Sequence, residues 1–86
     1  MEVVFDPAKD AINQAKHGLS LADAAAFELG AAVVEVDDRF DYGEVRYRAF
    51  GRVDGKARCL VFAWSDSTIR AISYRRAHDK EMRRYE

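Results

Sequence analysis

The fold is decided by the stretch Glu44 to Trp64, which reads EVRYRAFGRVDGKARCLVFAW. In its first half, apolar residues alternate with polar and charged ones, and this period of two is typical of a β-strand with one buried face. The dipeptide Asp54-Gly55 favours a tight two-residue hairpin turn. The second half is apolar enough for a strand at the centre of a sheet. The stretch therefore predicts two antiparallel strands, over residues 44–53 and 56–64, joined at Asp54-Gly55.

The sequence before this hairpin predicts a short strand and two helices. Residues 2–5 are rich in β-formers. Asp6-Pro7 favours a helix start, because aspartate caps the first N–H groups and proline fits the first turn. Gly18 is suited to the left-handed position that ends a helix. A second helix is expected over residues 20–30, with a serine at its N-cap and a glycine at its end.

The remaining pattern completes an α+β fold. Strands are expected at residues 33–36 and 68–74, and a charged C-terminal helix at 75–85. The order β-α-α-β-β-β-β-α with mostly antiparallel pairing indicates two N-terminal helices packed on one face of a sheet. A chain of 86 residues without repeats or linkers is expected to form a single domain over residues 1–86.

The apolar faces of these elements predict the core. Cys59, in the apolar strand, is expected to be an inert buried thiol. The other candidate core residues are Ile12, Phe27, Val45, Tyr47, Leu60, Phe62, Trp64 and Ile69.

Composition excludes several classes of protein. The longest apolar stretches fall far short of the ~20 residues that a membrane span needs. The N-terminus shows no secretory signal, and a single cysteine cannot form an internal disulfide, so a reducing cytoplasm is the expected compartment. Nothing resembles paired metal ligands, a phosphate-binding glycine loop or a dinucleotide fingerprint. We therefore expect no metal, no cofactor and no membrane partner.

The net charge of −1 hides an asymmetry between the two halves of the chain. Residues 1–42 carry three basic and nine acidic side chains, a balance of −6, and residues 43–86 carry eleven basic and six acidic, a balance of +5. The halves could neutralise each other across the fold. Alternatively, the arginine-rich second half could present a phosphate-binding face, since the guanidinium fork suits phosphate.

Two clusters could carry chemistry as well as structure. Lys16-His17-Gly18 could simply complement a helix dipole and end the helix, or it could place a titratable imidazole and an ammonium at an exposed elbow. Glu44, Arg46 and Arg48 lie on one face of the expected strand. They could form solvated ion pairs, or their carboxylate and guanidinium groups could converge on a phosphodiester.

A third cluster comprises Arg70 and the run Ser73-Tyr74-Arg75-Arg76. It lies where a strand is expected to end and a helix to begin, which is a suitable place to receive an anion. The arginines could equally be solvated residues at the start of the last helix.

An ordered set of short motifs across nearly the whole chain resembles the BrnT toxin family. The set is Phe5-Asp6-Pro7-x-Lys9, Asn13, Lys16-His17-Gly18, Phe27, Tyr42-Gly43-Glu44-x-Arg46, Gly51, Val61, Ile69-Arg70-x-Ile72-Ser73-x-Arg75-x-Ala77, Glu81 and Arg84-Tyr85. Two positions depart from the family: Phe5 stands where tryptophan is commoner, and Tyr74 where a small residue is usual. The resemblance implies a RelE-like fold and a ribonuclease toxin of a bacterial type II toxin–antitoxin system.

The resemblance also implies a mechanism in which the RNA 2′-hydroxyl attacks the adjacent phosphorus without a metal ion. His17 or Glu44 would then act as base or acid, and Arg46 and Arg75 would stabilise the phosphorane. The expected RNA-binding residues are Lys16, Arg48, Arg70 and Arg76.

The partner that the family implies is a BrnA-like ribbon-helix-helix antitoxin, as a heterotetramer built on an antitoxin dimer. Operator DNA would be bound only through that antitoxin, and the free toxin would inhibit translation and growth. Two other classes stay open: a non-catalytic basic module that docks a protein or nucleic acid, and a small structural subunit whose charges serve solubility. A ribonuclease needs proton-transfer groups among its cations, so His17 beside Lys16 favours the enzyme.

Overall fold

The computed structural model describes residues 2–85, which form one five-stranded sheet with helices on both faces. The strand order is β1-β5-β4-β3-β2. All neighbours are antiparallel except β1 and β5, which run parallel at one edge. The strands are β1 (Glu2–Val4), β2 (Val33–Val36), β3 (Tyr47–Val53), β4 (Lys56–Ser65) and β5 (Thr68–Arg76). The α+β class and the mostly antiparallel sheet expected from the sequence are confirmed.

The hairpin that the sequence predicts is present, but its first strand starts later than expected. Asp54 and Gly55 both have positive φ, 50° and 76°, as a tight two-residue turn requires. β3 begins at Tyr47 because its neighbour β2 ends at Val36, the partner of Tyr47 in the ladder. The prediction of a strand from residue 44 was wrong, and Glu44 and Arg46 lie in the segment that enters β3.

Helix α1 (Pro7–His17) forms as its caps predict. The Asp6 carboxylate accepts from the Ala8 N–H at 2.9 Å, and Gly18 closes the helix with a φ of 71°. Buried Asn13 joins α1 to the sheet: its amide donates to the Tyr74 carbonyl at 2.9 Å and accepts from the Tyr74 N–H at 3.1 Å. Because β1 pairs only with the first residues of β5, this side chain satisfies the backbone edge that β1 leaves open.

The second expected α-helix is replaced by two 3₁₀ helices, Leu21–Ala26 and Leu29–Ala31. Ser20 caps the first of them as predicted, accepting from the Ala22 N–H at 3.1 Å. The residues that bury their side chains here are Leu21, Ala24 and Phe27. This spacing of three matches a helix with 3.0 residues per turn, so the α-helical interpretation was wrong.

Two apolar clusters lie on opposite faces of the sheet. The larger lies under α1 and the first 3₁₀ helix, and includes Phe27, Leu60, Phe62 and Ile69, with Tyr47 packed against it, as predicted. The smaller lies under helix α2 (Asp79–Tyr85), which starts four residues later than predicted. Its buried members are Phe50, Cys59, Val61, Ala77 and Met82.

Three predicted core residues are exposed instead: Ile12, Val45 and Trp64. Ile12 lies on the solvent side of α1, and Val45 precedes the start of β3. Trp64 lies at the end of β4, next to the turn into β5. The prediction for Cys59 is confirmed, and burial raises the pKa of its thiol to about 11. Within residues 2–85, no helix is long and apolar enough to cross a bilayer.

Candidate active site

A β-bulge brings the candidate arginines of β5 to one face of the sheet. Strict alternation would put Arg70 and Arg75 on opposite faces, since five positions separate them. The ladder between β4 and β5 shifts at this point: Val61 pairs with Ser73, whereas the next residue, Phe62, pairs with Ala71. The extra residue of β5 restores both arginines to the face that α2 covers. We call this face the α2 face.

Arg48 of β3 also projects from the α2 face. Its neighbours Tyr47 and Ala49 pack on the opposite side, in the larger core. Arg48 lies opposite Val61, which lies opposite Ser73. At about 4.8 Å between neighbouring strands, the backbones of Arg48 and Ser73 are about 10 Å apart.

Arg75 is held rigidly by a carboxylate of α2. Its Nη1 and Nη2 atoms donate to the two Glu81 oxygens, both at 2.9 Å, and Nη1 also donates to the Arg76 carbonyl at 3.0 Å. Glu81 also accepts from the His78 N–H at 2.9 Å. Hydrogen bonding to Arg75 lowers the pKa of Glu81 to about 2, and the same pair raises the pKa of Arg75. Both groups are therefore ionised across the neutral range.

His17 lies near Ser73, two residues before Arg75 on β5. It is half-buried at the end of α1, and it lines a cleft of about 270 Å³ together with Lys16 and with Ile72 and Ser73 of β5. Burial lowers the pKa of His17 below 6.5, and the positive charges of Lys16 and Arg75 lower it further. The imidazole is therefore mainly neutral at pH 7. We call His17, Ser73, Arg75 and Glu81 the Arg75 group.

A second ionic cluster lies at the other end of β5, and we call Glu44, Arg46 and Arg70 the Glu44 group. Glu44 accepts from Arg70 Nη2 through both carboxylate oxygens, one of them at 2.6 Å, and from Arg46 Nε at 3.2 Å. Hydrogen bonding to Arg70, and secondarily to Arg46, lowers the pKa of Glu44. This carboxylate is therefore ionised and paired at neutral pH.

The loop before β3 holds Arg46 in place. The Arg46 guanidinium lies 4.2 Å from the centre of the Tyr42 ring, a cation–π contact. The Tyr42 hydroxyl donates to Asp37 at 3.2 Å, and Asp37 is buried in a two-point ion pair with Arg39. This pairing lowers the pKa of Asp37 to about 2.

Arg48 is paired with a separate carboxylate, that of Glu35. Its Nη2 donates to Glu35 of β2, and the other Glu35 oxygen accepts from the Tyr85 hydroxyl at 2.9 Å. The Tyr85 ring stacks on Phe50 with centroids 4.5 Å apart. The Nε atom of Arg48 is buried without a hydrogen-bond partner in the described structure.

Arg76 does not join the other candidates. It lies opposite Arg58 in the ladder and lines a separate cleft with Lys56 and Arg58 near the hairpin turn. Alternation along the strand directs it away from Arg75. Arg76, expected to bind RNA, therefore lies on the other face of β5 from Arg75.

Two of the carboxylates that pair with these arginines, Glu81 and Glu35, were not among the candidate site residues predicted from the sequence. Glu81 appeared only within the resemblance motifs, and Glu35 lies in a strand whose pattern showed nothing but β-propensity. Their pairing depends on how α2 packs on the sheet and on which strand β2 pairs with. Neither can be read from the neighbouring residues in the sequence. Among residues 2–85, no three His, Cys, Asp or Glu side chains are grouped to hold a metal ion.

The structure is that of a small α+β protein whose α2 face carries guanidinium groups paired with carboxylates, with a half-buried imidazole at the end of α1. The family model described as "Ribonuclease toxin, BrnT, of type II toxin-antitoxin system" matches residues 5–81. The chain therefore belongs to the BrnT family of ribonuclease toxins, as the sequence motifs predicted.

A solved structure agrees with this assignment. The chain is similar to the 1.1 Å crystal structure of the Brucella abortus ribonuclease toxin BrnT, with 28% identity and a TM-score of 0.72. The match covers 92% of this chain and 99% of the Brucella chain. No curated protein matches the chain.

Proposed function

We propose that this toxin cleaves RNA without a metal ion, at a site centred on the Arg75 group. The observation that carries the proposal is the position of His17. The imidazole shares a cleft with Ser73, two residues before Arg75 on the α2 face. Burial lowers its pKa, and the charges of Lys16 and Arg75 lower it further. A neutral base thus lies beside a fixed cation, which is the pairing that attack of a 2′-hydroxyl on phosphorus requires.

In the proposed reaction, His17 takes the proton of the RNA 2′-hydroxyl. The 2′-oxygen bonds to the adjacent phosphorus, the bond from phosphorus to the 5′-oxygen breaks, and a 2′,3′-cyclic phosphate forms. The departing 5′-oxygen takes a proton, which the imidazolium formed in the first step can return. Arg75 stabilises the negative charge of the phosphorane. Arg46, which lies with Glu44 and Arg70 at the other end of β5, is assigned to binding the RNA backbone.

The pKa values favour His17 over Glu44 as the base. The Glu44 carboxylate accepts hydrogen bonds from two guanidinium groups, so it is a weak proton acceptor and holds no proton to donate at neutral pH. We assign Glu44 to positioning Arg46 and Arg70. Lys16, Arg48 and Arg70 then bind the RNA backbone on either side of the Arg75 group, and Arg76 lies outside this path.

At the level of the cell, we propose that cleavage in the cytoplasm halts translation and growth, and that the fold is RelE-like. The neutralising partner is a BrnA-like ribbon-helix-helix antitoxin, whose dimer holds two toxins and alone contacts operator DNA. Acidic and apolar antitoxin side chains would cover the face that bears Arg46 and Arg75, since that face is cationic. Its charges should speed association and make binding sensitive to salt.

The test is RNA cleavage by the purified chain in buffer with EDTA. We expect cleavage products ending in a 2′,3′-cyclic phosphate, and His17→Ala and Arg75→Ala proteins that stay folded, bind the antitoxin and leave RNA intact. Cleavage that stops in EDTA and returns with a divalent cation would overturn the metal-free mechanism. Full cleavage by both folded variants would overturn the assigned site and favour a non-catalytic docking face.

A further inference from the structure

Trp64 is the least expected feature of the surface. The sequence predicts it as a core residue, yet its side chain is 51% exposed at the end of β4. It is nevertheless held in place, because its indole N–H donates to the Asp66 carbonyl at 2.5 Å across the β4–β5 turn. An exposed indole that is fixed in this way offers a flat ring face at a small cost in side-chain entropy.

Trp64 lines a cleft of about 480 Å³ at the end of the sheet. Exposed Val45 also lines the cleft, and both are apolar. Glu44 and Arg70 line the same cleft. The cleft is therefore lined both by an aromatic residue, Trp64, and by Arg70, whose guanidinium is proposed to bind the RNA backbone.

Arg70 can bind a phosphate without leaving Glu44. Both hydrogen bonds of the pair use the Nη2 group of Arg70. A guanidinium has five N–H donors, so its Nε and Nη1 groups can still meet an anion. A nucleotide placed here would have its phosphate on a cation and its base against an apolar, aromatic wall. This is the usual arrangement in proteins that bind single strands.

We propose that this cleft is a base-binding subsite, in which one nucleobase of the RNA substrate stacks on Trp64 while the adjoining phosphate binds Arg70. The inference rests on the proposed ribonuclease function and adds a position for the strand beyond the reacting phosphate. Stacking uses the ring face, so the subsite accepts any base. The alternative occupant, an apolar side chain of the antitoxin, is an outcome of the test.

Trp64 is the sole tryptophan of the chain, so its fluorescence reports on the cleft directly. The probe is a single-stranded RNA oligonucleotide carrying 2′-O-methyl groups throughout, which removes the attacking hydroxyls. We expect quenching that saturates with binding, and little quenching from a fully abasic strand of the same length. Binding of the methylated RNA with unchanged fluorescence would overturn the subsite.

Variants separate stacking from a general effect on the surface. Trp64→Ala should weaken binding of the methylated RNA by roughly 5- to 100-fold, from the usual strength of base stacking, and Trp64→Phe should recover most of it. Val34→Ala, an exposed apolar residue on β2, is the matched control and should bind as the wild type does. Equal affinity of the Trp64→Ala and wild-type proteins would overturn the proposal.

The outcomes also distinguish the subsite from the proposed function. If the wild type cleaves RNA and Trp64→Ala cleaves it with the same KM, the subsite is wrong and the ribonuclease stands. If the wild type neither binds nor cleaves RNA, both are wrong. If only the antitoxin quenches Trp64, the cleft belongs to the antitoxin interface and the proposal fails.

Discussion

The same ion pair, arginine with glutamate, occurs at both ends of β5 in two different settings. In the Arg75 group the side chains of Arg75 and Glu81 are 23% and 26% exposed, and two parallel hydrogen bonds join them. In the Glu44 group Arg70 and Glu44 are 41% and 35% exposed. A partly buried, two-point pair keeps its cation in one position, whereas an exposed pair exchanges partners at a small energetic cost.

The difference follows from the elements that carry the carboxylates. Glu81 lies on α2, which buried Met82 anchors to the sheet. Glu44 lies in the segment before β3, next to Gly43, and its backbone is not part of a strand. A fixed cation suits stabilisation of a transition state, and an exchangeable one suits binding of a flexible strand. We therefore expect substitutions in the Arg75 group to affect the chemical step, and those in the Glu44 group to affect binding.

The largest effect is expected for His17→Ala, which should lower the rate of RNA cleavage by roughly 10²- to 10⁴-fold, the usual contribution of a general base. His17 must be neutral to accept a proton, and its pKa is lowered from 6.5. Wild-type kcat/KM should therefore rise with pH to a plateau, with a midpoint below pH 6.5. A pH–rate profile measures this, and a variant that keeps the same rising limb would contradict the assignment.

Arg75→Ala should lower kcat by roughly 10²- to 10³-fold, as loss of a fixed charge-stabilising group does. It should also raise the pKa of His17 towards 6.5, because one of the charges that lower it is gone. Single-turnover cleavage and an NMR titration of the imidazole measure the two effects. Arg83→Ala, an exposed arginine of α2, is the matched control, and an equal loss in that variant would contradict a specific role for Arg75.

Arg70→Ala should act on binding. We expect roughly tenfold weaker affinity for uncleavable RNA and a salt dependence reduced by about one phosphate contact, with kcat nearly unchanged. Affinity measured at several salt concentrations gives the slope. A fall in kcat as large as that of Arg75→Ala would show that Arg70 acts in the chemical step together with Arg75, which would contradict its assignment to binding.

The smallest effect is expected on stability in acid. The pKa of Glu81 is lowered from 4.5 to about 2 in the folded protein, so its pairing with Arg75 stabilises the fold above the unfolded pKa. This stability is lost as the pH falls from about 5 to about 2, because the unfolded chain binds the proton more readily. Glu81→Gln should remove about 1–2 kcal/mol of stability at pH 7, allowing for solvent screening.

Urea unfolding at pH 7 and near pH 2.5 tests this expectation. The Glu81→Gln and wild-type curves should approach each other at the lower pH, since the unfolded wild-type chain then binds a proton at Glu81 and most of the stabilisation is lost. Glu28→Gln, an exposed glutamate on the loop between the 3₁₀ helices, is the control and should match the wild type at each pH. A constant difference between the Glu81→Gln and wild-type proteins at both pH values would show that the loss is one of packing and does not come from ionisation.

Much of this protein was predictable because its signals are local. The α1 caps, the Asp54-Gly55 turn and the apolar run of β4 depend on neighbouring residues, and all three are confirmed. The order of elements and the family also follow from the linear pattern, since the matching motifs stand in sequence order. The errors in helix type at residues 20–30 and in the start of β3 arose where packing or a neighbouring strand sets the limits of the element.

The face on which each charged side chain lies depended on the tertiary structure alone. Strict alternation along β5 would place the side chains of Arg70 and Arg75 on opposite faces of the sheet. The bulge between Ala71 and Ser73, which is seen in the pairing with β4, places them on the same face. The same holds for Glu81, which reaches Arg75 because α2 folds back over the sheet. Propensities and caps act within a few residues. The face of the sheet on which a side chain lies, its ion-pair partner and the exposure of Trp64 depend instead on which strands and helices pack together. The amino-acid sequence by itself therefore determined the elements and their family, and the packing of those elements built the site.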